Sequence, residues 1–204
     1  MAQATVADQR MRNLQTVPQG EPVSSAGVLP QDVDALCVAA IDSRSICVDS
    51  PLSRRRRWTV IGADQLGDSA VVLVARRTRR GGLRLYRIRY CREDGSRQWR
   101  REEDWLGAEC WGSDERSFGP RLTSKHSPVM ECASSSDKRG GEACLRFGDG
   151  IVGYSHRSET RLVPEHGWIV VLWKGRRTMI DALAPDGRVV GSEHIPHLTS
   201  LFLD

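Results

Sequence analysis

The sequence predicts a mainly β fold: a small antiparallel barrel or sandwich of short strands, with one N-terminal helix and a disordered leader. Three observations carry this. After Pro51 the chain breaks into nine or ten short runs rich in Val, Ile, Tyr and Trp, separated by Gly, Asp and Pro turn signals. Only residues 30–43 show an apolar stripe of helical period. Residues 1–29 are polar, rich in Gln, Ser, Pro and Gly, and have no apolar period at all.

In the helical stretch, Val33, Leu36, Cys37, Ala40 and Ile41 fall at i, i+3, i+4, i+7 and i+8. Pro30 suits a first turn, and Asp32 and Asp34 complement the positive end of the helix. Strands are expected at 57–63 and 69–77, flanking the turn-rich Asp64-Gln65-Leu66-Gly67-Asp68. Arg80-Gly81-Gly82 marks a hairpin into a long strand at 83–92. Glu93-Asp94-Gly95-Ser96 turns it into 97–101, and Glu102-Glu103-Asp104-Trp105-Leu106 reads as one helical turn. Residues 112–142 look loop-like, with 134–141 the softest part. Further strands are expected at 143–147, 151–156, 160–163, 167–173, 178–183 and 188–192. The apolar run Gly167–Trp173 should be buried on both faces, as a central strand would be. Residues 198–203 are apolar enough to pack. This gives a leader (1–29), a helical segment (30–50) and a β-rich domain (51–204). That domain divides, if at all, into subdomains 51–112 and 143–204 joined by the loop-rich 113–142.

Charge is distributed very unevenly. The chain has 27 Arg and three Lys. Residues 54–101 hold 15 of the Arg and only four acids, a local balance of +11, whereas the remainder balances at −7. The preference for Arg, with a single Asn (Asn13), fits a GC-rich bacterial genome. It does not account for the clustering, which argues about partners rather than fold. No run of ~20 apolar residues and no secretory apolar core occurs, so the expectation is a cytoplasmic protein with no membrane partner. In that compartment the six cysteines are thiols. No two of them have zinc-knuckle spacing, and Cys132, Cys144, His156 and His166 are the one set that would serve as zinc ligands. No metal and no cofactor is expected.

The strand Leu83-Arg84-Leu85-Tyr86-Arg87-Ile88-Arg89-Tyr90-Cys91-Arg92 mixes Arg and Tyr on both faces. Guanidinium groups bind phosphates and flat rings stack on bases, as a polyanion-binding surface requires. The plainer alternative has Tyr and Leu packed inward beneath snorkelling Arg stems. Candidate binding residues are Arg76, Arg77, Arg79, Arg80, Arg84, Arg87, Arg89, Arg92, Tyr86 and Tyr90.

Tyr86-Arg87-Ile88-Arg89-Tyr90, Glu93-Asp94-Gly95 and Gln98-Trp99-Arg100-Arg101-Glu102-Glu103-Asp104 together resemble the centre of a chromo or Tudor type SH3-like barrel. The resemblance spans residues 83–106. It implies that Tyr90 matches the strand aromatic able to line a methyl-ammonium cage and that Trp99 is structural. Upstream only Trp58 stands where a first cage aromatic would, and no full C-terminal helix follows. What the resemblance implies is therefore the barrel and a docking surface for nucleic acid or peptide, not a methyl-lysine reader. The part from Trp168 to Gly191 resembles β-rich actinobacterial proteins without assigned function and implies no activity.

An enzyme would need converging titratable groups. Cys144 or Ser155 as nucleophile, His156 or His166 as base, and Asp149 or Glu165 to orient it are candidates for a hydrolase, but no motif joins them. Trp111, beside Gly112 in a loop, is an interface candidate. The expectation is a non-enzymatic protein whose Arg-rich β face engages nucleic acid or another polyanion. The alternative is a protein–protein or assembly module, in which the same face meets an acidic surface, including that of a second copy in a homo-oligomer.

Overall fold

A computed structural model describes residues 30–43, 55, 57–77, 83–93, 95–106 and 128–196. The leader, the hairpin tip Arg79–Gly82, Trp111 and the tail 198–203 lie outside them. The chain is mainly β, as expected, with one described helix, α1 (Gln31–Ser43), and eleven strands. Strands β1 (Trp58–Leu66), β2 (Ser69–Arg77), β3 (Leu83–Cys91) and β4 (Arg100–Leu106) form a first antiparallel sheet in sequence order. A second sheet has the order β5 (Val129–Ser136), β6 (Gly140–Phe147), β9 (Trp168–Lys174). A third has the order β11 (Val189–Ile195), β10 (Thr178–Leu183), β7 (Gly153–His156), β8 (Glu159–Leu162).

These elements stack in layers because successive strand residues face opposite ways. In β2, Ala70, Val72 and Val74 face α1, whereas Val71, Leu73 and Ala75 face the second sheet. The first set meets Val33, Cys37, Ala40 and Ile41 of the helix. The second meets Cys144, Trp168, Val170 and Leu172. The reverse side of the second sheet presents Ala143, Leu145, Ile169 and Val171 to Tyr154, Ile180, Ala182 and Ile195 of the third. The arrangement is a small sandwich of stacked sheets.

The helical stripe packs as its period predicts, except that Leu36 lies at the stripe's margin and stays exposed. Polar bonds fasten both ends of α1 to the first sheet. Tyr90 Oη donates to Asp34 Oδ1 at 2.8 Å, and Trp99 Nε1 donates to Asp42 Oδ1 at 2.9 Å. Burial here pushes the Cys37 thiol up to about 12, so it is an inert core group.

Four local expectations need correction. β1 continues through Asp64-Gln65-Leu66, and only Gly67-Asp68 turns, with Gly67 in the left-handed region at φ 62°. Residues 102–106 are not a helical turn. They extend β4, because Arg100, Arg101 and Leu106 pair with Cys91, Tyr90 and Ile88 of β3. The stretch 112–142 is not loop-like throughout, since β5 spans Val129–Ser136 and β6 begins at Gly140, and 134–141 is not a loose excursion. Ser134–Ser136 belong to β5, and Asp137 closes a tight turn by accepting from the backbone N–H groups of Arg139 (2.7 Å) and Gly140 (3.1 Å). β9 is indeed buried on both faces, but it is an edge of its sheet rather than the centre.

That edge explains Asp64. Leu172 of β9 donates its backbone N–H to Asp64 Oδ2 at 2.7 Å, so a carboxylate takes the place of a neighbouring strand. Asp64 is 3% exposed and its charge is met by Arg157 Nη2 (2.6 Å) and Arg161 Nη1 (2.8 Å) from the β7–β8 hairpin. The converse contact lies nearby in the stack. Glu142 of β6 is 0% exposed, accepts from Arg89 Nε of β3 at 2.7 Å, and forms an ion pair with Arg87 Nη1 of the same strand at 3.4 Å. The first sheet lends an acid to the C-terminal half, and the C-terminal half returns one.

Candidate nucleic-acid interface

The basic cluster is divided by the fold. Both faces of β3 are covered near its C-terminal end. Arg87 is 1% exposed and closes on Glu142, with Arg89 beside it on the same carboxylate. Tyr90 is buried under α1, and burial raises its phenol far above the ordinary value. Arg92 lies 4.3 Å over the Trp99 ring and pairs with Asp68 at 3.3 Å. Arg100 pairs with Glu93 at 2.6 Å. Sequence reading missed Glu142 as a partner, since it lies 53 positions from Arg89 in an unremarkable Gly-Gly-Glu-Ala run.

The other end of the sheet is different. Register places Trp58 opposite Arg76 and Arg76 opposite Arg84, so all three side chains share one face in a row across three strands. Tyr86 lies two residues on from Arg84 on that face. Arg76 Cζ stands 4.9 Å from the Trp58 ring centroid, and the Trp58 and Tyr86 rings lie 5.4 Å apart at 42°. Both rings are half-buried, while Arg76 and Arg84 are exposed. Arg57 and Arg77 flank the same strand ends, joined by the Arg77 N–H bond to the Arg57 carbonyl at 2.7 Å. Among the described residues, Arg57, Arg76 and Arg77 form no ion pair. Arg79 and Arg80 follow after Thr78 in sequence but lie outside the described residues.

The candidate catalytic groups do not form a set. Cys144 is buried between the first and second sheets, and His156 Nε2 bonds Thr178 Oγ1 at 3.1 Å on the third. His166 Nδ1 accepts the Trp168 N–H at 3.0 Å. Asp149 and Glu165 are exposed. No group of three or more potential metal ligands occurs among the described residues, and no described helix is long and apolar enough to cross a membrane.

His156 makes a structural prediction instead. Burial, aided by the neighbouring Arg157 guanidinium, pushes its pKa down from 6.5 to about 4. The unfolded chain therefore takes up this proton first as pH falls. The contribution of the neutral ring is fully present above pH 6.5 and is lost as pH falls toward 4. Urea melts should show stability dropping by about 2 kcal/mol across this window, with a shallower slope in His156→Gln.

Comparison with protein-family models, with curated proteins and with solved structures finds no match for this chain.

Proposed function

We propose that this protein binds single-stranded nucleic acid through the basic, aromatic end of its first sheet. The observation that carries this reading is the row Trp58–Arg76–Arg84 beside Tyr86, with Arg57 and Arg77 at the same strand ends. Bases stack on rings of any sequence context, and guanidinium groups hold the backbone phosphates. The residues Arg87, Arg89, Arg92 and Tyr90 support the sheet and do not belong to the contact surface.

The test is a mobility-shift titration with single-stranded oligonucleotides at several salt concentrations. Binding should weaken steeply as salt rises. Arg76→Ala with Arg84→Ala should reduce the log–log salt slope by about 1.4, from about 0.7 for each lost phosphate contact. Trp58→Ala should weaken binding at every salt concentration by about 1–3 kcal/mol, the worth of one stacked base. Lack of binding at low salt overturns the reading. Salt-sensitive self-association without nucleic acid would favour an assembly module instead, the basic pole meeting the portion of another copy that balances at −7.

A further inference from the structure

Beside its charge, the row at the end of the first sheet has a hydrogen-bonding bias: its side chains are donors. Trp58 carries an indole N–H, and Arg76 and Arg84 carry guanidinium N–H groups, none of them with a lone pair to offer. The Tyr86 hydroxyl is the one side-chain oxygen beside them. Strands β1, β2 and β3 hold a single acid between them, Asp64. That carboxylate lies at the other end of β1 from Trp58 and is taken up by Leu172, Arg157 and Arg161.

The two arginines of the row are set differently. Arg76 stands over the Trp58 ring, which holds its guanidinium at the rings. Arg84 is next along the row, on β3, and is exposed. Tyr86, on the same face as Arg84, tilts against Trp58 at 5.4 Å. A base laid on these rings therefore has a guanidinium fork at its border. Such a fork matches two acceptors side by side. Guanine offers O6 and N7, whereas adenine sets a donor amino group beside its N7. An amino group turned toward a guanidinium finds no acceptor, and an unmet donor is costly. Cytosine also has adjacent acceptors, O2 and N3, open in a single strand. Its one ring covers less of the aromatic pair than a purine does, and stacking strength sets preferences on such surfaces.

We infer that the site prefers an unpaired guanine, stacked on the Trp58 and Tyr86 rings, with Arg84 donating to its O6 and N7. The inference rests on the single-strand binding proposed above and names the base. A guanidinium has five N–H groups, so Arg84 can serve the base edge and a phosphate together. The experiment is an anisotropy titration of the whole chain at low salt with short oligothymidine strands. Each strand carries one central guanine, hypoxanthine, 7-deazaguanine, adenine or cytosine. Hypoxanthine keeps O6 and N7, and 7-deazaguanine lacks N7. Guanine and hypoxanthine should bind alike, and about tenfold more tightly than the other three. The same order should hold in oligouridine, because the base edge is common to DNA and RNA. Arg84→Gln should move the preference to adenine, since an amide donates to N7 and accepts from N6. Arg84 is exposed, so this variant retains the fold. Equal binding of all strands, an order led by adenine or cytosine, an order that changes with the sugar, or a guanine preference that survives Arg84→Gln overturns the inference and leaves single-strand binding standing. No binding of any strand overturns both.

Discussion

Asp64→Ala is expected to destabilise the protein by about 3–5 kcal/mol, the range for removing one partner of a buried ion pair. Three groups lose their partner at once. The Leu172 N–H is left without an acceptor at the β9 edge, and Arg157 and Arg161 lose the carboxylate that holds the β7–β8 hairpin. Arg157 and Ser158 both occupy the left-handed region, at φ 52° and 62°, which side chains tolerate poorly. The bond to Asp64 helps to hold that turn. Asp64→Asn should lose less, because an amide oxygen can still accept the Leu172 N–H. Denaturant melts measure both. A loss below about 1 kcal/mol for the alanine variant would show that the carboxylate is not the anchor the geometry makes it.

Glu142→Leu should be comparably severe. It removes the carboxylate on which the Arg87 guanidinium, 1% exposed, closes, at a cost of about 3–5 kcal/mol. Arg89 suffers less, being 30% exposed at its side chain and able to turn to water. Adding Arg87→Met to Glu142→Leu should restore most of the loss, because a packed apolar pair replaces a buried ionic one at little net cost. A double-mutant cycle reads the coupling directly. If the second substitution fails to rescue, the pair is not the source of the instability. The proposed nucleic-acid binding should persist in the folded fraction of the double variant, since Arg76, Arg84 and Trp58 are untouched.

These two acids mark where sequence reading ran out. The mainly β class was legible because strand periodicity and turn residues are local signals. The helix was legible because its stripe is local too. The burial of β9 followed from its apolar run, but its place at a sheet edge did not, because Asp64 lies 108 positions from the N–H it caps. Glu102–Leu106 has helix-compatible residues, and only pairing with β3 makes it extended. The Ser-rich hairpin looked soft because neither the Asp137 cap nor the Trp173 ring against Gly141 is evident from composition. The arginine cluster could be counted but not divided. Which guanidinium groups reach solvent depends on acids supplied from distant strands, and Trp58 joined the row of Arg76 and Arg84 only once β1, β2 and β3 were in register.

The exchange of acids between the two halves also has a temporal side. A nascent chain emerges with Asp64 more than ninety positions ahead of Arg157 and Arg161, and with Arg87 and Arg89 more than fifty ahead of Glu142. Until those counterparts leave the ribosome, burying either charge is unfavourable. The full set of partners of the first sheet is complete only when β9 has been made, after β6 and the β7–β8 hairpin.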